Sequence, residues 1–152
     1  MLQVMNKVNA FSDQMLLHYS APNKNLITEI MQFDAEGLSN LTREHLSKYV
    51  LVLGQYLVML QHNENMKTVE YKLATKALEF YLSQEKFART DVKGKSEKER
   101  NIWLVINDPK AQQFHNDALV AEAEKMAIGG MVRAVEGLLN ALKKELSIRS
   151  VE

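Results

Sequence analysis

Between Thr42 and Arg89 the chain has no proline and a single glycine, Gly54, and its apolar residues recur at helical spacing. Leu46, Val50, Leu53, Leu57 and Leu60 follow one another at intervals of 4, 3, 4 and 3 residues. That is heptad spacing on one face of a helix. Thr42 is placed to cap the first turn, with Leu41 and Leu46 placed as a hydrophobic staple. The run His62-Asn63-Glu64-Asn65 interrupts the pattern, which resumes at Met66, Val69, Leu73, Ala77 and Phe80. Neither Gly nor Pro lies in the interruption, so the spacing predicts one continuous helix with a phase shift. Run on to Arg89, it would be roughly 70 Å long at the helical rise of 1.5 Å per residue.

Two further helix starts are written locally. Ser96-Glu97-Lys98-Glu99 has the capping-box form and opens a short helix ending near Ile106. Asp108 followed by Pro109 is a strong start for the last helix, Pro109 to Ile148, roughly 60 Å on the same rise. Its seam is Met131, Val135, Leu138 and Leu142, broadened by Leu139 and Leu146. Gly129, Gly130 and Gly137 lie inside it, Gly130 and Gly137 on one face. Glycine in a helix interior costs about 1 kcal/mol against alanine, and close approach of another backbone would offset that. Two helices of this length pack as an antiparallel hairpin burying one face each. The apolar stripe left over, with its glycines, asks for copies of the chain. Gly130, Met131, Val135, Gly137, Leu138 and Leu142 are the expected oligomerisation residues.

The first 40 residues carry weaker signals: one helix over Met1 to Tyr19, a turn at Ala21-Pro22-Asn23, a short helix or strand over Leu26 to Phe33, and a loop at Gly37 to Asn40. The expected architecture is all-α: a long antiparallel helical hairpin with coiled-coil-like seams plus a small N-terminal helical extension. The expected division is an extension over 1–38 and a hairpin domain over 39–152, with a basic loop at 86–95 and an oligomerisation helix at 109–148.

Composition narrows the function. The 152 residues contain no cysteine, which removes disulfide scaffolds, thiolate metal sites and cysteine nucleophiles. The histidines, His18, His45, His62 and His115, form no HxxxH or HExxH pair, and Gly129-Gly130 follows no strand, so no phosphate-binding loop is present. Glu97/Glu99 and Glu122/Glu124 are two apart and sit on different helix faces. A non-enzymatic protein without cofactor or metal is expected. No apolar run has the length of a signal peptide or a membrane span, so a cytoplasmic location and no membrane partner are expected.

The net charge of zero is a cancellation: residues 1–71, 72–100 and 101–152 carry −2, +3 and −1. In the basic block, Lys72 and Lys76 are four apart on one helix face, followed by Lys86, Arg89, Lys93, Lys95, Lys98 and Arg100, with Tyr71, Phe80, Tyr81, Phe87 and Trp103 nearby. Lysines that neutralise phosphates release counterions, and aromatics stack on bases of any sequence. The other reading is a solvated charged turn with its aromatics in the core. Phe80 continues the apolar seam and is expected in the core. Tyr81, about 100° further round the helix, is expected to be freer.

Three stretches carry a family likeness: Leu73-Ala74-Thr75-Lys76-Ala77-Leu78-Glu79-Phe80-Tyr81, Lys95-Ser96-Glu97-Lys98-Glu99 opening a helix after a basic loop, and Ala127 to Arg149 with its paired glycines, Leu-Leu-Asn-Ala-Leu-Lys-Lys and closing Ser-Ile-Arg-Ser. Over residues 40–150 the chain resembles the UvsY-like phage recombination mediators. The resemblance implies a non-enzymatic homo-oligomer, a hexamer or heptamer ring, in the cytoplasm of an infected host cell. It would bind single-stranded DNA weakly and help load a RecA-like recombinase onto DNA coated by single-strand DNA-binding protein. It places DNA contacts near the aromatic helix end, at Lys76 and Tyr81, and assembly in the C-terminal helix. The family sets basic residues on either side of the alanine. This chain has a different register there, with Lys72 and Lys76 as substitutes. Together with the basic block, the expected DNA-binding residues are Lys72, Lys76, Tyr81, Lys86, Arg89, Lys93 and Lys95. The alternative function is an oligomeric helical protein-interaction module, a phage scaffold or host-factor inhibitor without nucleic acid, which eight methionines would suit.

Overall fold

The structure, a computed structural model, describes residues 21–33, 37–38, 40–88 and 96–149. It contains helices α1 (Ala21–Met31), α2 (Arg43–Ala88), α3 (Glu97–Asn107) and α4 (Pro109–Ile148), with no strand among the described residues. The fold is all-α, and α2 and α4 pack together as an antiparallel hairpin. α2 runs through 62–65 without interruption.

The three local start signals are present as bonds. The backbone N–H of His45 donates to Thr42 Oγ1 at 3.2 Å. Ser96 and Glu99 form a reciprocal capping box, with N–H to side-chain oxygen distances of 2.8 and 3.3 Å. Asp108 Oδ1 accepts from the N–H groups of Lys110 and Ala111 at 2.8 and 3.0 Å, closing the first turn of α4. One local reading is corrected. Ala21-Pro22-Asn23 opens α1 instead of forming a turn, because the fixed φ of proline suits a first helical turn.

The chain divides into two compact units: a central one, Met66–Lys125, and a flanking one holding the described residues up to Asn65 and from Met126 onward. In the flanking unit α1, α2 and α4 share one core. α2 contributes Leu46, Tyr49, Leu53, Tyr56 and Leu60, and α4 contributes Ile128, Val132, Val135, Leu139 and Leu142. Both sets keep heptad spacing. The set on α2 is rotated from the predicted one, with Tyr49 and Tyr56 inside and Val50 and Leu57 half-buried. The cause is α1. Ile27 and Ile30 enter the core, the Phe33 ring lies 5.8 Å from that of Tyr49, and Tyr49 Oη donates to Glu29 Oε1 at 3.2 Å. A third helix on that flank draws in the tyrosines. It also makes α1 part of the flanking core, so the expected boundary at residue 38 does not separate an extension from a domain. Arg149 closes this unit by donating to the carbonyls of Leu41 and Leu38.

No backbone approaches Gly129; its near neighbour is the end of the flexible Glu64 side chain, which can move aside. A Cβ at Gly129 would lie 2.9 Å from Glu64 Oε1. Gly130 and Gly137 have nothing within 4 Å of a built Cβ.

In the central unit, α2 packs on α3 and α4 through Leu82, Leu104 and Ala111, with Leu78, Tyr81, Trp103 and Val105 around them. Ala111, Ala118 and Ala121 are the buried residues of α4 here, and their small side chains let α2 approach. Lys67 Nζ bridges Glu70 and Glu124 at 2.6 and 2.9 Å. Burial lowers the Lys67 pKa, but hydrogen bonds and charge from Glu70 and Glu124 outweigh it, and the net shift is upward.

Leu53→Ala should cost about 2–5 kcal/mol, read as a lower urea midpoint with the helical signal retained at low denaturant. The raised pKa of Lys67 means that its ion pairs stabilise the fold fully below the unfolded value of 10.5 and are lost as pH rises through the higher folded value. Burial and Glu29 raise Tyr49 above 10.0, which acts in the same direction. The urea midpoint should therefore stay level up to the unfolded pKa values and fall at more alkaline pH. A midpoint that rises there would contradict the pairing.

Candidate nucleic-acid interface

The basic and aromatic residues singled out in the sequence lie on α2 and on the connection that follows it. Lys72 and Lys76 are both exposed on α2, one turn apart. Lys86 lies in α2, where only the backbone is described, and Arg89, Lys93 and Lys95 lie outside the described residues.

The two aromatics at the helix end are exchanged relative to expectation. Phe80 is 66% exposed. Tyr81 is half-buried, and its hydroxyl donates to the Asp108 carboxylate at 3.1 and 3.2 Å. Its ring packs against Phe114 at 5.3 Å between centroids, and Lys110 Nζ sits 5.2 Å from the ring centre. Tyr81 is thus a structural tie from α2 to the joint between α3 and α4, and its ring is not free for a base. Asp108, 8% exposed, carries three tasks at that joint: its backbone N–H caps α3 on Leu104, its carboxylate caps α4, and the same carboxylate receives Tyr81.

The reason is which stripe of α2 meets α4. The contact face runs through Lys67, Tyr71, Leu78, Tyr81 and Leu82. Lys67 pairs with Glu124, the Tyr71 ring receives Lys125 Nζ at 4.4 Å, and Leu78, Tyr81 and Leu82 join the small core. Met66, Val69, Leu73 and Phe80 lie on the other side, about 150° round at 100° per residue, and are 50%, 50%, 63% and 66% exposed. The stripe predicted to bury itself in the hairpin is the stripe left in solvent. Sequence reasoning therefore missed Phe80 as a surface aromatic. The available signal was the competing stripe Tyr71, Leu78, Leu82, seven and four apart, together with an acid at Asp108 able to receive a phenol.

The expected oligomerisation residues also separate. Val135 and Leu142, 1% and 0% exposed, belong to the chain's own flanking core, so they are corrected from an intermolecular to an intramolecular seam. Met131 and Leu138 are half-buried against that core, whereas Gly130 and Gly137 are exposed.

Among the described residues no group of His, Asp and Glu is arranged to hold a metal ion, and no helix is long and apolar enough to cross a membrane. Compared with known proteins, the chain matches no family model, no curated protein and no solved structure.

Asp108→Ala removes two capping bonds and the partner of Tyr81. It should cost about 1–3 kcal/mol, whereas Tyr81→Phe, which keeps the ring packing, should cost about 1 kcal/mol. Thermal melts of both variants check the order. A Tyr81→Phe loss equal to that of Asp108→Ala would contradict the assignment of the joint to the cap.

Proposed function

We propose that the chain is a non-enzymatic, oligomeric single-stranded DNA-binding protein of the recombination-mediator type. In this reading it assists a RecA-like recombinase in loading onto DNA coated by single-strand DNA-binding protein. The observation that carries the reading is the exposed trio Lys72, Lys76 and Phe80, three successive turns of α2. It offers two cations to phosphates and one aromatic ring to a base. Phe80 takes the stacking role that the resemblance implies for Tyr81. The likeness of the helix-end and C-terminal stretches to the UvsY-like mediators supplies the biological context. A neutral chain with a local excess of +3 over residues 72–100 would bind one site weakly.

Fluorescence anisotropy of a labelled oligo-dT at about 50 mM salt tests the reading, since binding of this kind weakens as salt rises. Lys72→Ala/Lys76→Ala should reduce the slope of log affinity against log salt by roughly 1–2. Phe80→Ala should weaken binding by about 1–3 kcal/mol with the slope unchanged. Absence of binding by the wild-type chain at low salt would overturn the proposal.

A further inference from the structure

The exposed face of α2 in the central unit has a second property, independent of nucleic acid. Met66, Val69, Leu73, Lys76 and Phe80 are spaced 3, 4, 3 and 4 residues apart, the seam of a coiled coil, and none of them is buried. Seams of this spacing are complementary to another helix. In heptad terms Met66, Leu73 and Phe80 are a positions, and Val69 and Lys76 are d positions. Lys72 and Glu79 both fall at g. Both are exposed, and neither has an ion-pair partner among the described residues.

We infer that this face docks a second copy of the chain, antiparallel, about a two-fold axis between Leu73 and Lys76. Two features select that occupant and direction. In an antiparallel pair, a positions meet d positions, so Leu73 packs on the aliphatic stem of the partner's Lys76 and Val69 packs on the partner's Phe80. The ammonium group of Lys76 reaches to the edge. A parallel pair would instead set Lys76 beside the partner's Lys76, two like charges in the seam. The g positions face one another only in the antiparallel arrangement, where Lys72 lies opposite the partner's Glu79. The two-fold axis makes that contact twice. A parallel pair would place Lys72 against the partner's Ala77 and leave both charges unmatched. The face is thus charge-complementary to itself in one direction only. The pairing does not depend on the DNA reading. If both hold, DNA and the second copy compete for Lys72, Lys76 and Phe80.

Light scattering and sedimentation of the full chain test the pairing. The wild-type chain should show dimer formation at micromolar concentration, and Leu73→Asp, on an exposed position, should return the mass to 17.4 kDa with the helical circular-dichroism signal intact. Lys72→Glu or Glu79→Lys should each weaken association by about tenfold, by turning two attractive contacts into two repulsive ones. The double swap Lys72→Glu/Glu79→Lys should restore it to within about threefold of wild type. A wild-type chain that stays monomeric at high micromolar concentration overturns the proposal, as does a Leu73→Asp chain that still associates. Single reversals without effect, or a double swap that weakens association further, overturn the antiparallel register. Absence of oligo-dT binding by the wild-type chain, with the swap-and-rescue pattern intact, would overturn the DNA reading alone.

Discussion

A helix of 46 residues must bury one face along its length, and α2 has more apolar residues than one partner helix can cover. Everything else in the structure follows from how that surplus is handled. In the flanking unit α1 takes up the excess. Ile27 and Ile30 join α4 in covering a broad stripe that brings two tyrosines inside. In the central unit the short α3 and an alanine-rich stretch of α4 cover Leu78, Tyr81 and Leu82, while the stripe from Met66 to Phe80 stays in water. Leaving four large apolar side chains at half exposure or more is costly. A surface arranged this way marks an interaction site more often than an accident of packing.

The Asp108 joint shows how little local chemistry is needed to settle which stripe is chosen. One carboxylate ends α3, begins α4 and receives the phenol of Tyr81. Once Tyr81 is turned toward that acid, Phe80, about 100° away on the same helix, is turned out of the core. The surface aromatic is a consequence of the cap. Lys72 and Lys76 lie on the same side as Phe80 and away from the contact face, which is why cations and ring come to share one surface.

This divides what was legible in the sequence from what was not. The starts at Thr42, Ser96 and Asp108-Pro109 were legible because a cap is decided by residues three or four apart. The continuity of α2 through 62–65 was legible because nothing there breaks a helix. The choice between neighbouring stripes was not. Val50 and Leu57 are as apolar as a seam requires, and only the presence of α1 on the adjoining flank puts Tyr49 and Tyr56 in their place. Phe80 and Tyr81 were exchanged for the same reason, with Asp108 as the distant determinant. The α4 seam was found in part: Val135 and Leu142 are core residues, but of the chain's own core. The basic connection at Arg89, Lys93 and Lys95 lies outside the described residues, so the candidate surface rests on α2.

The most direct test is hydroxyl-radical footprinting read residue by residue, on the chain diluted until any self-association is gone. Phe80, Leu73 and Met66 should be oxidised readily, and Tyr81 and Leu82 should be protected. Strong labelling of Tyr81 with protection of Phe80 under the same dilution would mean that α2 buries the other stripe, and the surface described here would not exist.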